Sequence, residues 1–218
     1  MPPLLIERAI AIAAEWHDGT VRKGRWTEPV LAHAAGAPGV PVMAHVTAVA
    51  MAVQAAGWGA ETVAAAFLHD TLEDPDRHGR RLAPERLAAL VGDEVVRIVE
   101  AVTEPKLGPD GRTLPWRHRK EAYLAHLRRG SAAAAAVSLA DKAHNAHAMA
   151  SSLEAGIDIF TSAPGRQALS AGADDQRWFF EAVLAESARH NDPRLDGLRA
   201  TLEGQVERFV RAAGLGAV

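Results

Sequence analysis

Apolar residues recur at helical spacing along nearly the whole chain, and no segment shows a convincing strand alternation. The pattern predicts a first helix over residues 4–16, closed by Gly19. Residues 19–42 break the pattern with Gly24, Pro29, Gly36, Pro38, Gly39 and Pro41, which predicts a long loop with one helical turn near residues 31–35. Loops of this length in compact domains commonly serve as lids or substrate walls. Further helices are predicted over residues 47–56, ended by Gly57 and Gly59, and over 60–72, with Pro75 just beyond. Two short helices over 84–90 and 93–103 are split by Gly92, and 106–115 is a Gly/Pro loop. Then come an amphipathic basic helix over 116–129 and a long apolar one over 132–153. After a loop over 162–174, helices over 175–190 and 193–213 close the chain. The alanine run Ala132–Ala136 is a strong helix former. The expected fold class is all-α.

Composition supports this and narrows the function. Hydrophobic residues make up 48% and charged residues 23%, as in a globular protein with a real core. With 218 residues, one domain is expected, its core over about 5–190 and its last helix over 193–213. Aromatics are only 5%, which favours close-packed helices over a β-sandwich. A net charge of −3 gives no general affinity for nucleic acid. The absence of cysteine excludes disulfides, thiolate metal sites and cysteine nucleophiles, and fits a reducing compartment. No leader-like segment precedes the first helix and no apolar run is long enough to span a bilayer, so a cytoplasmic protein without membrane contact is expected.

The chemistry concentrates in a few places. The apolar run Ala64-Ala65-Ala66-Phe67-Leu68 leads straight into His69-Asp70 and then Glu73-Asp74. Glu73 and Asp74 follow His69 and Asp70 by one helical turn, so a continuous helix would bring all four near one face. Three carboxylates and an imidazole with no Lys or Arg beside them in sequence repel one another, and a divalent cation is the simplest relief. Such a donor set suits Mn²⁺, Fe²⁺ or Zn²⁺, with Mg²⁺ a harder alternative. A second cluster is Asp141-Lys142-Ala143-His144-Asn145, where Asp141 follows an apolar run and would be costly to bury alone. The third piece is His45, after the Pro-rich loop. Each has an ordinary alternative when taken alone: Asp141 as a salt-bridge partner, His45 as a satisfied helix-start histidine, and His17-Asp18 as a mere helix end.

Together the pieces resemble a family. Arg22-Lys23-Gly24, Pro41-Val42-Met43-Ala44-His45, Leu68-His69-Asp70-Thr71-Leu72-Glu73-Asp74 and Ser138-Leu139-Ala140-Asp141-Lys142-Ala143-His144-Asn145 are similar to the hydrolase domain of RelA/SpoT-type proteins. The nearer likeness is to the stand-alone small alarmone hydrolases, and Val91-Gly92, Val99 to Thr103, Trp116 to Tyr123 and Arg177 to Phe180 add to it. The resemblance implies an all-helical HD-domain bundle, Mn²⁺, and removal of the 3′-pyrophosphate from guanosine tetra- or pentaphosphate. It implies His45, His69, Asp70 and Asp141 as metal ligands, and Glu73 and Asp74 as the acidic pair that activates water. Arg22 and Lys23 match the basic pair at the nucleotide, and Asn145 matches a residue of the pocket wall. Val46 stands where the family usually has Pro, and the loop between Lys23 and His45 is longer than the family's.

Lys23, Arg119, Lys120 and Lys142 are candidates for neutralising pyrophosphate oxygens, and Arg22 for stacking on the purine. For Arg119 and Lys120 the alternative is a solvated helix face, and for Lys142 a salt bridge within the acidic cluster. Trp178, Phe179 and Phe180 read as core packing. Two other functions stay open: the same metal site acting on another nucleotide (an adenine alarmone, or NADPH as a 2′-phosphatase substrate), and a nucleotide-binding sensor without turnover. The last helix either packs on its own chain or forms a homodimer contact.

Overall fold

The computed structural model describes residues 3–22, 40–108, 110–163 and 167–216. Among these it is helical without a named strand: α1 (Leu4–Trp16), α2 (Val42–Ala55), α3 (Ala60–Leu68), α4 (Pro84–Val91), α5 (Asp93–Ala101), α6 (Trp116–Arg129), α7 (Ala132–Glu154), α8 (Ala173–Ser187), a 3-10 turn (Pro193–Leu195) and α9 (Asp196–Ala212). The helical turn expected near residues 31–35 lies outside the described residues.

Boundaries follow local chemistry. Proline precedes α1, α2 and α6 (Pro3, Pro41, Pro115) and opens α4 as Pro84, where a missing N–H costs nothing. Helix α2 therefore starts at Val42, five residues before the predicted position, because Pro41 fixes the entry and nothing in Val42–His45 breaks a helix. Ser131 caps α7, its hydroxyl accepting from the Ala134 N–H at 3.3 Å. Helix α3 stops at Leu68, earlier than the expected residue 72, and residues 69–73 continue as hydrogen-bonded turns. The ends of the 20–41 segment are clamped together: Val21 bridges Pro41, and the Arg22 N–H donates to the Val40 carbonyl at 2.9 Å.

Helix α7 is the axis of the core. Ala134 through Ala143 are all buried, and the small alanine side chains let α2, α3, α8 and α9 lie close against it. Helix α3 is buried from Thr62 to Leu68 and packs on α1, α2 and α5. One continuous apolar cluster runs from Ile6 in α1 to Phe209 in α9, so the last helix packs on its own chain through Leu198, Leu202, Val206 and Phe209. Three buried helices, α2, α3 and α7, thus meet in pairs, and each brings one chemically distinctive stretch to the junction.

Gly92 is both the end of α4 and the start of α5, with φ of 88° and ψ of 158°, a conformation essentially reserved for glycine. An added Cβ would meet no atom within 4 Å there, so the cost of a side chain is backbone strain alone. Gly92→Ala should destabilise the protein by about 1–3 kcal/mol, read as a lower midpoint in urea unfolding. An unchanged midpoint would mean that the α4–α5 corner relaxes freely.

Candidate metal centre

The junction of α2, α3 and α7 gathers four donor side chains. His45 comes from the first turn of α2, His69 and Asp70 from the turn after α3, and Asp141 from the middle of α7. Nε2 of His45 lies 3.3 Å from Nε2 of His69, 3.2 Å from an Asp141 oxygen and 3.8 Å from an Asp70 oxygen. Nε2 of His69 lies 3.2 Å from Asp70 and 3.8 Å from Asp141. His45 and His69 are buried, at 0% and 2% exposure, and Asp141 is at 6%.

Each ring is oriented by its other nitrogen. Nδ1 of His69 donates to the Ala66 carbonyl at 2.8 Å, which turns Nε2 toward the centre. Nδ1 of His45 lies 2.9 Å from Nδ1 of His144. Burial, reinforced by the Arg22 charge, lowers His45 to about 3. Burial also opposes a charge on His69, yet Asp70 and the hydrogen bond to Asp141 outweigh it and raise that group to about 9. The neighbouring imidazoles hold Asp70 below the usual carboxylate range despite its burial, and Asp141 is held well below by Lys142 first and then by both histidines.

The donor set fits a divalent cation. Metal–ligand bonds of about 2.1 Å set neighbouring ligand atoms about 3–3.5 Å apart, and the contacts across this centre run from 3.2 to 3.8 Å. Two imidazole nitrogens and two carboxylates from three rigid elements also match the chemistry of such ions, which bind histidine in its neutral form. His45, His69 and Asp70 have ligand atoms within 4.8 Å of one another, and Asp141 closes the fourth side.

Asp141 carries its own retinue. Its neighbour Lys142 forms an ion pair with it, so the salt bridge within the cluster is the arrangement adopted. Burial works against the Lys142 charge, but Asp141 raises it, and the ammonium sits 4.6 Å over the Tyr123 ring. Asn145, one turn on, donates from Nδ2 to Asp141 at 2.7 Å and accepts from the Arg22 guanidinium with Oδ1. Arg22, Asn145 and Asp141 thereby form one chain of hydrogen bonds. Lys23 lies outside the described residues.

The acidic pair is arranged differently from the sequence expectation. Because α3 ends at Leu68, Glu73 and Asp74 do not share a helix face with His69 and Asp70, although the Asp74 N–H still donates to the Asp70 carbonyl at 2.9 Å. Nor are they without a cation: Lys106, from the loop after α5, reaches Glu73 at 3.2 Å and Asp74 at 2.5 Å. That cation is distant in sequence and close in space, and it removes part of the repulsion that the sequence implied. Burial, then the Asp70 charge, raises Glu73 above the usual glutamate range, with Lys106 opposing. The second Glu73 oxygen accepts the Glu104 N–H at 3.2 Å.

Arg119 and Lys120 converge on Glu104, a buried carboxylate of the same loop; Arg119 pairs with it at 2.7 Å and Lys120 pairs through the other oxygen. They are therefore neither a freely solvated face nor in contact with the four donors. Lys120 also lies 4.6 Å over Phe179, and Phe179 and Phe180 are buried in the core, as read from the sequence.

Four residues near the site carry no strong sequence signal. Glu104 and Lys106 lie in a loop without periodicity. His144 stands three positions after Asp141, the same helix face, which would have been a usable clue. His17 was read as a helix end; it is only 3% exposed, and among the described residues its Nε2 has no hydrogen-bond partner. Burial lowers His17, against the pull of Asp70 and Asp74. The adjacent Trp16 indole donates to the Asp74 carbonyl at 2.9 Å and ties the acidic turn to α1.

Comparison with known proteins places this chain in a family. A probable guanosine-3′,5′-bis(diphosphate) 3′-pyrophosphohydrolase of Synechocystis is 34% identical over 103 residues, 47% of this chain and 11% of that protein. A guanosine-3′,5′-bis(diphosphate) 3′-pyrophosphohydrolase of Danio rerio is 35% identical over 109 residues, 49% of this chain and 54% of the relative. The alignments thus span about half or less of these curated relatives. Among solved structures, lmo0812 from Listeria monocytogenes EGD-e matches with a TM-score of 0.61 and 25% identity, covering 78% of this chain and 98% of that one. A structure described as a metazoan ortholog of SpoT that hydrolyses ppGpp matches over 99% of both chains with a TM-score of 0.61; at 22% identity it speaks for the fold alone. The HD domain itself matches residues 24–161, a span that includes every one of the four converging donors and implies a divalent metal, and the chain belongs to the HD-domain family.

Proposed function

We propose that this chain is a Mn²⁺-dependent hydrolase that removes the 3′-pyrophosphate of guanosine tetra- or pentaphosphate, giving GDP or GTP and pyrophosphate. The observation that carries the reading is the conjunction of a buried two-histidine, two-carboxylate centre with a separate acidic pair on the turn that leaves it. The names of two curated relatives, each matched over about half of this chain, support the substrate class.

His45, His69, Asp70 and Asp141 would hold the cation. A bound divalent cation supplies Lewis acidity, acidifying water and neutralising phosphate charge. Glu73 takes the proton of the attacking water, assisted by Asp74. Its burial makes the carboxylate a stronger base than an exposed glutamate, and Lys106 with the Glu104 N–H fixes both oxygens. Arg119 and Lys120 bring two positive charges against the single Glu104 carboxylate, and the excess favours an anionic pyrophosphate. Lys142 acts from beside Asp141, and Asn145 holds Arg22 at the mouth of the centre, where the guanidinium can meet the purine. Lys23 completes the basic pair.

The decisive assay incubates the protein with Mn²⁺ and a panel of ppGpp, pppGpp, ppApp and NADPH, with products separated by chromatography. Pyrophosphate release from the guanosine substrates, stopped by a chelator and restored by Mn²⁺, is the expected result. Release of phosphate from NADPH or of pyrophosphate from ppApp alone would move the substrate; no release from any would sink the enzyme reading and leave a nucleotide-binding sensor.

Two substitutions separate the roles. Asp141→Ala should abolish turnover together with Mn²⁺ binding. Glu73→Gln should lower kcat by about 10²–10⁴-fold while Mn²⁺ affinity measured by calorimetry stays close to wild type. A Glu73→Gln variant with wild-type kcat would overturn its assignment as the base.

A further inference from the structure

We infer that His144 is a positioning residue for the metal centre: it accepts the Nδ1 proton of His45 and so holds the Nε2 lone pair of His45 toward the cation. The inference rests on the metal-site reading given above and adds a residue that the ligand motif does not include.

The geometry is specific. The two Nδ1 atoms lie 2.9 Å apart, so one nitrogen donates and the other accepts. On the opposite edge of the His45 ring, Nε2 faces the centre, 3.2 Å from Asp141 and 3.3 Å from His69. A neutral imidazole that ligates through Nε2 must carry its proton on Nδ1, and that proton needs an acceptor where water does not reach. His45 is wholly buried, and among the described residues no other hydrogen-bond partner is seen for its Nδ1. His144 Nδ1 is thereby the acceptor.

His69 provides an internal comparison. Its Nδ1 gives its proton to the Ala66 carbonyl at 2.8 Å, an acceptor built into the helix that carries it. His45 is in the first turn of α2 and uses a side chain from α7 instead. Asp141 and His144 are three residues apart on α7, on one face of the helix. One turn of α7 therefore supplies both a ligand to the centre and the support for a ligand on a neighbouring helix. His144 also lines a groove of about 440 Å³ together with Ala48, Ala52, Ala143 and Leu198.

The test is the affinity of the intact chain for Mn²⁺, and for Zn²⁺ in parallel, by isothermal titration calorimetry. His144→Ala should weaken binding by about 10–100-fold. His144→Asn, whose carboxamide oxygen takes the place of Nδ1, should recover most of that loss. Thermal unfolding without metal checks that each variant is folded. If the alanine variant does not fold, His144→Gln, whose longer side chain moves the oxygen off that position, takes its role as the non-rescuing partner of the asparagine variant. Wild-type affinity in His144→Ala, or an asparagine variant no better than the alanine or glutamine one, would overturn the inference while leaving the metal centre standing. A wild-type chain that binds neither ion would overturn the metal centre, and the inference with it.

Discussion

Asp70 and Asp141 are brought within reach of the same two buried imidazole nitrogens, and the packing of α2, α3 and α7 has to accommodate that convergence. Two carboxylates at such separations repel strongly where water is excluded, and each would cost several kcal/mol if left uncompensated. The surroundings answer with positive or polarisable partners from every side: the imidazoles in the centre, Lys142 against the outer Asp141 oxygen, and Asn145 backed by Arg22 against the inner one. The acidic turn that follows is answered in the same way by Lys106, and Glu104 by Arg119 and Lys120. Charge in this region is arranged as a nested series in which each buried acid has a base assigned to it.

Such a series demands a scaffold that does not yield. Helix α7 provides it through small side chains, because alanine at Ala134, Ala135, Ala136, Ala140 and Ala143 lets neighbouring helices approach closely, and close-packed interiors resist displacement. The same choice explains the low aromatic content of the chain. The few rings that are present do specific work beside the charges: Tyr123 and Phe179 lie against the Lys142 ammonium, so its positive charge is partly solvated by ring faces.

Much of this was legible in the sequence, for reasons that differ by residue. Helices α1 and α6 end where their periodicity ends, and α7 needs only one residue more, since long amphipathic or apolar runs leave little choice. His69, Asp70 and Asp141 stood out because charged groups followed apolar runs. The end of α3 was misplaced because nothing in Leu68–Leu72 breaks a helix; tertiary contacts, such as the indole of Trp16 on the Asp74 carbonyl, decide that turn. Lys106 and Glu104 were invisible because their pairing is a property of topology. Lys106 sits more than thirty residues from its partners and in a loop with no period to betray which way it faces.

The same contrast bears on how firmly each part of the function is anchored. The proposed bond-breaking chemistry would reside on α2, the end of α3, the following turn and α7, whose donor side chains are tied to one another by close polar contacts. Recognition of the base would rest on Arg22, which follows the Val21–Pro41 clamp. Arg22 belongs to both, since its backbone N–H is held by the Val40 carbonyl and its guanidinium by Asn145, itself bonded to Asp141. A nucleotide that engages Arg22 would meet a guanidinium already bonded to Asn145, and through Asn145 it would be linked to the Asp141 carboxylate. Under the proposed function, substrate binding and the metal centre would in this way be linked through a pair of hydrogen bonds, so a change at Arg22 need not leave the chemistry at Asp141 untouched.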